Sequence, residues 1–260
     1  MTITITNGPL SPTPPATVNY TLDGPKNKML FSPFPRRVRA VFGGEVVLDT
    51  DDGMLLHESG LLPALYVPVA DVRTDLLTKA EHTTHCPYKG DASYWTITAN
   101  GDTSQNAVWG YEIPVESAAF IKGFMALYWE RVDQWLDEDE EVFGHLRDPY
   151  HRIDIRPTSR AITASINGRV VAETTGAYVL SETGLPNRYY IPEADVRADL
   201  FAVSHSLTHC PYKGNASYRS LVGSARAAEV AWIYADPFDE SRRIAGHWSF
   251  DGDGVTVEAS

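Results

Sequence analysis

Two cysteines among 260 residues are too few for the disulfide framework of a small secreted domain, and a cytosolic protein is the simplest reading. No run approaches the ~18 consecutive apolar residues of a membrane-spanning helix, so no membrane association is expected. The opening Met1-Thr2-Ile3-Thr4-Ile5-Thr6 has neither the basic stretch nor the apolar core of a secretory signal, and none is expected. Basic side chains are outnumbered, 22 against 34 acidic, for a formal charge of −12. Broad nucleic-acid binding, which draws on released phosphate counterions, is therefore not expected. Neither a Gly-x-x-x-x-Gly-Lys-Ser/Thr phosphate loop nor a Gly-x-Gly-x-x-Gly fingerprint occurs, so a bound nucleotide would need side-chain contacts. What remains is ordinary globular material, 43% apolar and 22% charged, which excludes wholesale disorder.

The chain does contain a long internal repeat. Thr84-His85-Cys86-Pro87-Tyr88-Lys89-Gly90-Asp91-Ala92-Ser93-Tyr94 returns as Thr208-His209-Cys210-Pro211-Tyr212-Lys213-Gly214-Asn215-Ala216-Ser217-Tyr218, 124 positions later. The same offset runs back without a gap to Gly44 and Gly168, matching Tyr66-Val67-Pro68 with Tyr190-Ile191-Pro192 and Ala70-Asp71-Val72-Arg73 with Ala194-Asp195-Val196-Arg197. After one deletion, Val108-Trp109-Gly110-Tyr111 matches Ala231-Trp232-Ile233-Tyr234. A repeat this long is a domain rather than a solenoid unit. The expected division is a proline-rich extended arm over 1–35, a first domain over 36–148 and a second over 149–260. The acidic run Asp137-Glu138-Asp139-Glu140-Glu141 is expected in the linker as a solvated helix end.

Each repeat opens with a hairpin, Val38–Phe42 and Glu45–Thr50 around Gly43-Gly44, and Ile162–Ile166 and Arg169–Thr174 around Asn167-Gly168. Both dipeptides suit a type I′ turn. Further strands are expected over 54–56 and 178–180, over 88–98 and 107–111, and over their counterparts in the second repeat. Tyr-x-Pro reads as an edge strand because proline cannot donate to a central ladder. Asp71 and Asp195 read as helix N-caps. Phe120, Phe124, Leu127, Tyr128 and Trp135 recur at helical spacing, whereas Asp251-Gly252-Asp253-Gly254 leads into a strand at Val255-Thr256-Val257. The expected class is mainly β with little helix, each domain a small short-strand barrel or two packed sheets.

The Thr-His-Cys-Pro-Tyr-Lys-Gly-x-Ala-Ser-Tyr block resembles the bacterial family called domain of unknown function 427. So do the Ala107-Val108-Trp109-Gly110-Tyr111-Glu112-Ile113-Pro114 and Val230-Ala231-Trp232-Ile233-Tyr234-Ala235-Asp236-Pro237 tails, the Arg36–Gly44 start, and Asp148-Pro149-Tyr150-His151-Arg152. The resemblance covers roughly residues 33–250. It implies two tandem β-tent-like domains, similar to methionine-R-sulfoxide reductase and the ligand-binding domain of cereblon, packed as a pseudo-symmetric pair. The family also carries a nucleotidyltransferase-like name. Its activity is not established, and fold likeness does not carry function.

Many β-tent proteins hold zinc through paired Cys-x-x-Cys motifs. One cysteine per repeat cannot build a four-thiolate site, so no metal is expected. Cys86 and Cys210 read either as small buried hydrophobes or as nucleophiles activated by His85, Lys89 or Arg73 and their partners His209, Lys213 and Arg197. On a continuous strand Tyr88, Gly90, Ala92 and Tyr94 share one face, leaving a hollow for a ligand or a crossing backbone, and Lys89 lies on the other face with Ser93. There the lysine either holds an anion or lies along apolar surface. Glu58 with Arg73, and Glu182 with Arg197, read as structural pairs or as a general base with an anion clamp. Tyr66, Trp109, Tyr190, Tyr218 and Trp232 supply core or aromatic walls.

The leading reading is a pocket in each repeat that binds a small polar or aromatic metabolite, with no cofactor required. The second is a nucleotidyltransferase-like enzyme whose lysines and arginines hold phosphate while Glu58 and Glu182 hold Mg²⁺. The third is a non-catalytic interaction module that uses the arm.

Overall fold

The computed structural model describes residues 3–5, 8–13, 17, 19, 23–223 and 228–260. The chain divides into two units, Met1–Tyr150 and His151–Ser260. Both are mainly β, built from antiparallel sheets, and among the described residues no sheet closes into a barrel. No helix among them is long and apolar enough to cross a membrane.

The first unit contains β1 (Met29–Pro33), β2 (Val38–Phe42), β3 (Glu45–Thr50), β4 (Met54–Glu58), β5 (Ala64–Pro68), β6 (Leu77–Cys86), β7 (Gly90–Ala99), β8 (Asp102–Gly110), β9 (Phe124–Leu127), β10 (Gln134–Asp137) and β11 (Glu140–Val142). A large sheet runs β1-β4-β5-β9-β8-β7-β6 and a smaller one β11-β10-β2-β3. Alternation along the strands feeds two cores. On β4, Leu55 joins Phe34, Val38, Leu48, Ile97 and Trp135 on one side. Its neighbour Leu56 joins Tyr66, Tyr94, Tyr111 and Ile121 on the other, as a period of two requires.

The second unit repeats this plan with β12 (Ile153–Pro157), β13 (Ile162–Ile166), β14 (Arg169–Thr174), β15 (Tyr178–Glu182), β16 (Arg188–Tyr190), β17 (Phe201–Cys210), β18 (Gly214–Leu221), β19 (Ala231–Tyr234), β20 (Trp248–Phe250) and β21 (Val255–Ala259). Its sheets run β12-β15-β16, β17-β18-β19-β20 and β14-β13-β21. A single bridge, Ile191 to Trp248, joins the first two. The matching seam of the first unit is also narrow, since β5 meets β9 only at Val67–Met125 and Pro68–Phe124. The outer strands β6 and β17 each lose register partway, between Lys79 and Thr83 and between Val203 and Leu207.

Several expectations need correction. The repeat starts upstream of Arg36, because β1 pairs with β4 as β12 pairs with β15, with Pro33 and Pro157 at equivalent ends. The expected arm falls partly outside the described residues. Its described part is folded back rather than extended: Leu10 N–H donates to Ile3, and Gly60 N–H to Thr4. The acidic run is a hairpin between β10 and β11, with Glu138 at φ 53°, and not a helix end. Residues 120–135 form 3₁₀ turns and strands β9 and β10 instead of a helix. Gly123, at φ 86°, breaks the helical path. β5 lies inside the large sheet and not at its edge, a place open to Pro68 because it is the last strand residue before the Val69–Asp71 turn. Asp71 and Asp195 cap nothing; each accepts a hydroxyl proton at 2.6 Å, from Thr50 and Thr174.

The two hairpin turns show how far the repeats have become individual. Gly43 and Asn167 both have positive φ, 57° and 50°. A Cβ on Gly43 would stand 2.7 Å from the Ala99 carbonyl oxygen. Gly43→Asn, which installs the other repeat's residue, is expected to cost about 1–3 kcal/mol in denaturant unfolding, whereas Asn167→Gly should cost less than about 1 kcal/mol.

Candidate functional site

Each unit carries a buried ammonium–carboxylate pair at the end of the strand that follows the hairpin. Glu58 ends β4 at 5% exposure and Lys89 is 8% exposed. The Lys89 ammonium donates to Glu58 Oε2, Asn27 Nδ2 donates to Oε1 at 3.2 Å, and the ring of Tyr111 lies 5.6 Å from the ammonium. In the second unit Lys213 Nζ donates to Glu182 Oε2 at 2.7 Å and His151 Nε2 donates to Oε1 at 3.0 Å, with Tyr212 packed against the imidazole at 4.1 Å. Asn27 and His151 are 124 positions apart, so the repeat reaches back to them. Burial raises the carboxyl pKa of Glu182, but the His151 hydrogen bond and the Lys213 charge outweigh it and hold the group below the usual range.

The lysine reaches this place because the strand alternation is interrupted. Residues 87–89 form a turn closed by Lys89 N–H donating to Cys86 at 3.2 Å, and Gly90 re-enters the strand at φ 98°. Lys89 therefore points inward with Gly90 and Ala92, not outward with Ser93, and Tyr88 is left 36% exposed. The hollow over Gly90 is filled by crossing backbone. A Cβ there would lie 3.5 Å from Ile113 O and Val115 N, and Val115 N–H donates to Lys89 O. Asp236 and Phe238 do the same over Gly214.

Around the pair, Tyr66 and Tyr190 are 1% exposed, and burial pushes both hydroxyls far above the ordinary tyrosine value, keeping them protonated. Trp232 Nε1 donates to the Tyr190 oxygen at 3.4 Å. Cys86 packs in the Tyr66–Tyr94–Tyr111 cluster and Cys210 beside Tyr190 and Tyr234. The Tyr94 hydroxyl bonds Thr84 at 2.8 Å and that of Tyr218 bonds Thr208 at 2.9 Å. Other expected members lie elsewhere. His85 and His209 sit on the outer side, bonded to Asp91 and Asn215, since adjacent strand residues face opposite ways. Arg73 is bidentate to exposed Asp75 and 3.8 Å from Glu45, so it does not pair with Glu58. Arg197 is likewise exposed. Asn27 joins the site from outside every motif, and His151, Tyr111 and Tyr234 join it from motif segments that give them no role. Continuing the repeat offset upstream of Gly44 is the signal that finds the first two.

A cavity of about 240 Å³ opens beside Trp109 in the first unit, walled by Tyr128, Trp129, Leu65, Leu127 and Leu146 with Glu130 and His145 among its polar groups. The Tyr128 ring packs against Trp109 at 4.4 Å, tilted by 36°, and burial pushes its hydroxyl up to about 12. Strand register identifies the equivalents in the second unit. Ala64 of β5 opposes Leu56, as Arg188 of β16 opposes Leu180. Tyr128 follows the Val108–Leu127 pair, as Asp251 follows Ala231–Phe250. Trp135 opposes Ala40, as Val257 opposes Ala164. The face of Trp232 is therefore covered by the Arg188 guanidinium at 5.1 Å, which Asp251 holds at 2.7 Å.

Two outcomes follow. Glu182 has a depressed folded pKa, so its stabilisation is present above the unfolded value and lost as pH falls through the folded one. The second unit should lose stability between about pH 5 and 3, and His151→Asn should shrink that loss in urea melts taken across this range. Arg188→Ala should uncover Trp232, seen as a red-shifted tryptophan emission that Ala64→Gly does not produce.

A comparison with curated proteins finds no match. A family model matches twice, over residues 30–138 and 154–260, covering β1 to β10 and β12 to β21 nearly end to end. The chain accordingly belongs to the family described as Domain of unknown function (DUF427).

Proposed function

We propose that the first repeat binds a small planar heteroaromatic ligand in the cavity beside Trp109, and that the second repeat has closed the equivalent place with Arg188. The cavity carries the reading. It is concave, walled by aromatic and leucine side chains, and has a few polar groups, the usual make-up of a small-molecule site. Glu130 and the His145 ring stand at its polar edge, with His145 Nδ1 bonded to the Leu146 carbonyl at 2.7 Å and the Tyr128 hydroxyl bonded to Tyr94. A volume of about 240 Å³ suits one or two fused rings. The lysines of the buried Lys–Glu pairs are already neutralised by carboxylates. That weighs for a binding domain over a nucleotidyltransferase-like enzyme using those lysines on phosphate.

The test is a thermal-shift panel of indoles, purines and nucleosides, with nucleotides tried with and without Mg²⁺. An aromatic ligand at about one hundred times its Kd adds roughly 2.7 kcal/mol to the stability of the unit that binds it, a shift of several degrees. The shift should be independent of Mg²⁺ and should vanish in Ala64→Arg/Tyr128→Asp, which transplants the second repeat's plug. A shift confined to nucleotides, requiring Mg²⁺ and abolished by Lys89→Ala/Lys213→Ala, would overturn the proposal in favour of nucleotidyl chemistry.

A further inference from the structure

A second cavity in the first unit, of about 370 Å³, shares Trp129, Glu130, Trp135 and Gly144 with the first and adds, among others, Asp133, Glu141, Val142 and Phe143. Its floor is rigid. The rings of Trp129 and Trp135 meet at 87° with centroids 4.1 Å apart, and Trp135 Nε1 donates to the Trp129 carbonyl at 3.1 Å. Its charge has one sign. Glu130, Asp133 and Glu141 line it and no lysine or arginine does. Arg131, within the same stretch, donates instead to the Gln105 carbonyl at 2.7 Å. Asp133 is held by the Gly43 N–H at 2.7 Å, while Glu130 and Glu141 stand exposed at the rim.

Indole faces attract cations through the ring quadrupole, and carboxylates add a longer-range attraction. A bare metal ion does not suit this place. Such ions need several oxygen, nitrogen or sulfur ligands converging on one point, and among the described residues no three His, Cys, Asp or Glu side chains do so. A cation with an apolar skin satisfies the rings and the acids together. We infer that this cavity is a binding site for a small organic ammonium ion, quaternary or fully methylated. The inference stands apart from the heteroaromatic reading, since Asp133, Glu141, Val142 and Phe143 line this cavity alone.

The experiment is a tryptophan-fluorescence and calorimetric titration of the full chain with choline and with its neutral isostere, in which carbon replaces the ammonium nitrogen. Choline should bind saturably at concentrations up to about 10 mM, and the isostere at least about tenfold more weakly, given ~0.5–2 kcal/mol per cation–π contact. Glu141→Gln should weaken choline by about threefold, and Glu130→Gln/Glu141→Gln further, as expected for partly screened charges. Both glutamates are exposed, so the variants keep the fold. Ala64→Arg/Tyr128→Asp should leave choline binding in place even where it abolishes the aromatic ligand, which separates the two sites. Equal binding of the isostere, full affinity in the double glutamine variant, or no saturable signal with choline would each overturn the inference.

Discussion

A single charged hydrogen bond, made once in each unit, ties together two groups of strands whose backbone seam is narrow. Glu58 belongs to the β1-β4-β5 half and Lys89 to the turn of the β6–β9 half. Between those halves the ladder is two residue pairs wide. In the second unit the ladder shrinks to one bridge, and Lys213 to Glu182 spans it. Removing both groups from water is costly, and the pair persists only because its remaining hydrogen-bonding capacity is met by Asn27 or His151 and the surrounding aromatic rings. The Lys-Gly step, the inward turn and the crossing backbone all serve to deliver that ammonium. Residues that look like a ligand-binding strand thus have a structural duty first.

The aromatic cavity lies elsewhere, and there the repeats differ. Equivalent positions carry Ala64 or Arg188, Tyr128 or Asp251, and Trp135 or Val257. The invariant parts of the two halves are the parts that hold the sheet together. The divergent parts include the cavity walls, buried Trp135 among them, and the Asn27 and His151 partners of the carboxylates.

Much of the architecture was legible in the residues. Gly43-Gly44 and Asn167-Gly168 mark the hairpins because only a few residues tolerate two successive positive φ angles. Val255–Val257 reads as strand from alternation alone. Aromatic residues at helical spacing over 120–135 also arise from a 3₁₀ turn, a glycine break and two short strands in succession, so that spacing does not by itself specify a helix. A period-two argument puts Lys89 on the wrong face because a three-residue turn resets strand parity, and parity is all that such an argument uses. Pairing Arg73 with Glu58 follows from Glu–Arg complementarity alone, whereas its partner Asp75 lies two residues away. His151 was visible as part of a motif, but its role needs contact with Glu182, 31 residues on, which no local pattern encodes.

The loss of register in β6 and β17 has a consequence for life at high concentration. Each is a ten-residue strand at the outer margin of its sheet, the kind of exposed backbone rim onto which another chain can add. The break between Lys79 and Thr83, and between Val203 and Leu207, bends that rim in the middle, so a straight incoming strand can match it only for three or four residues at a time. In β6 the charges of Lys79 and Glu81 add to the obstacle. In β17 the corresponding stretch has no lysine or glutamate of its own, with Val203 and Leu207 70% and 73% exposed, and a charge reaches it only through the Glu229 carboxylate, which accepts from Ser204 and Ser206 beside the bend.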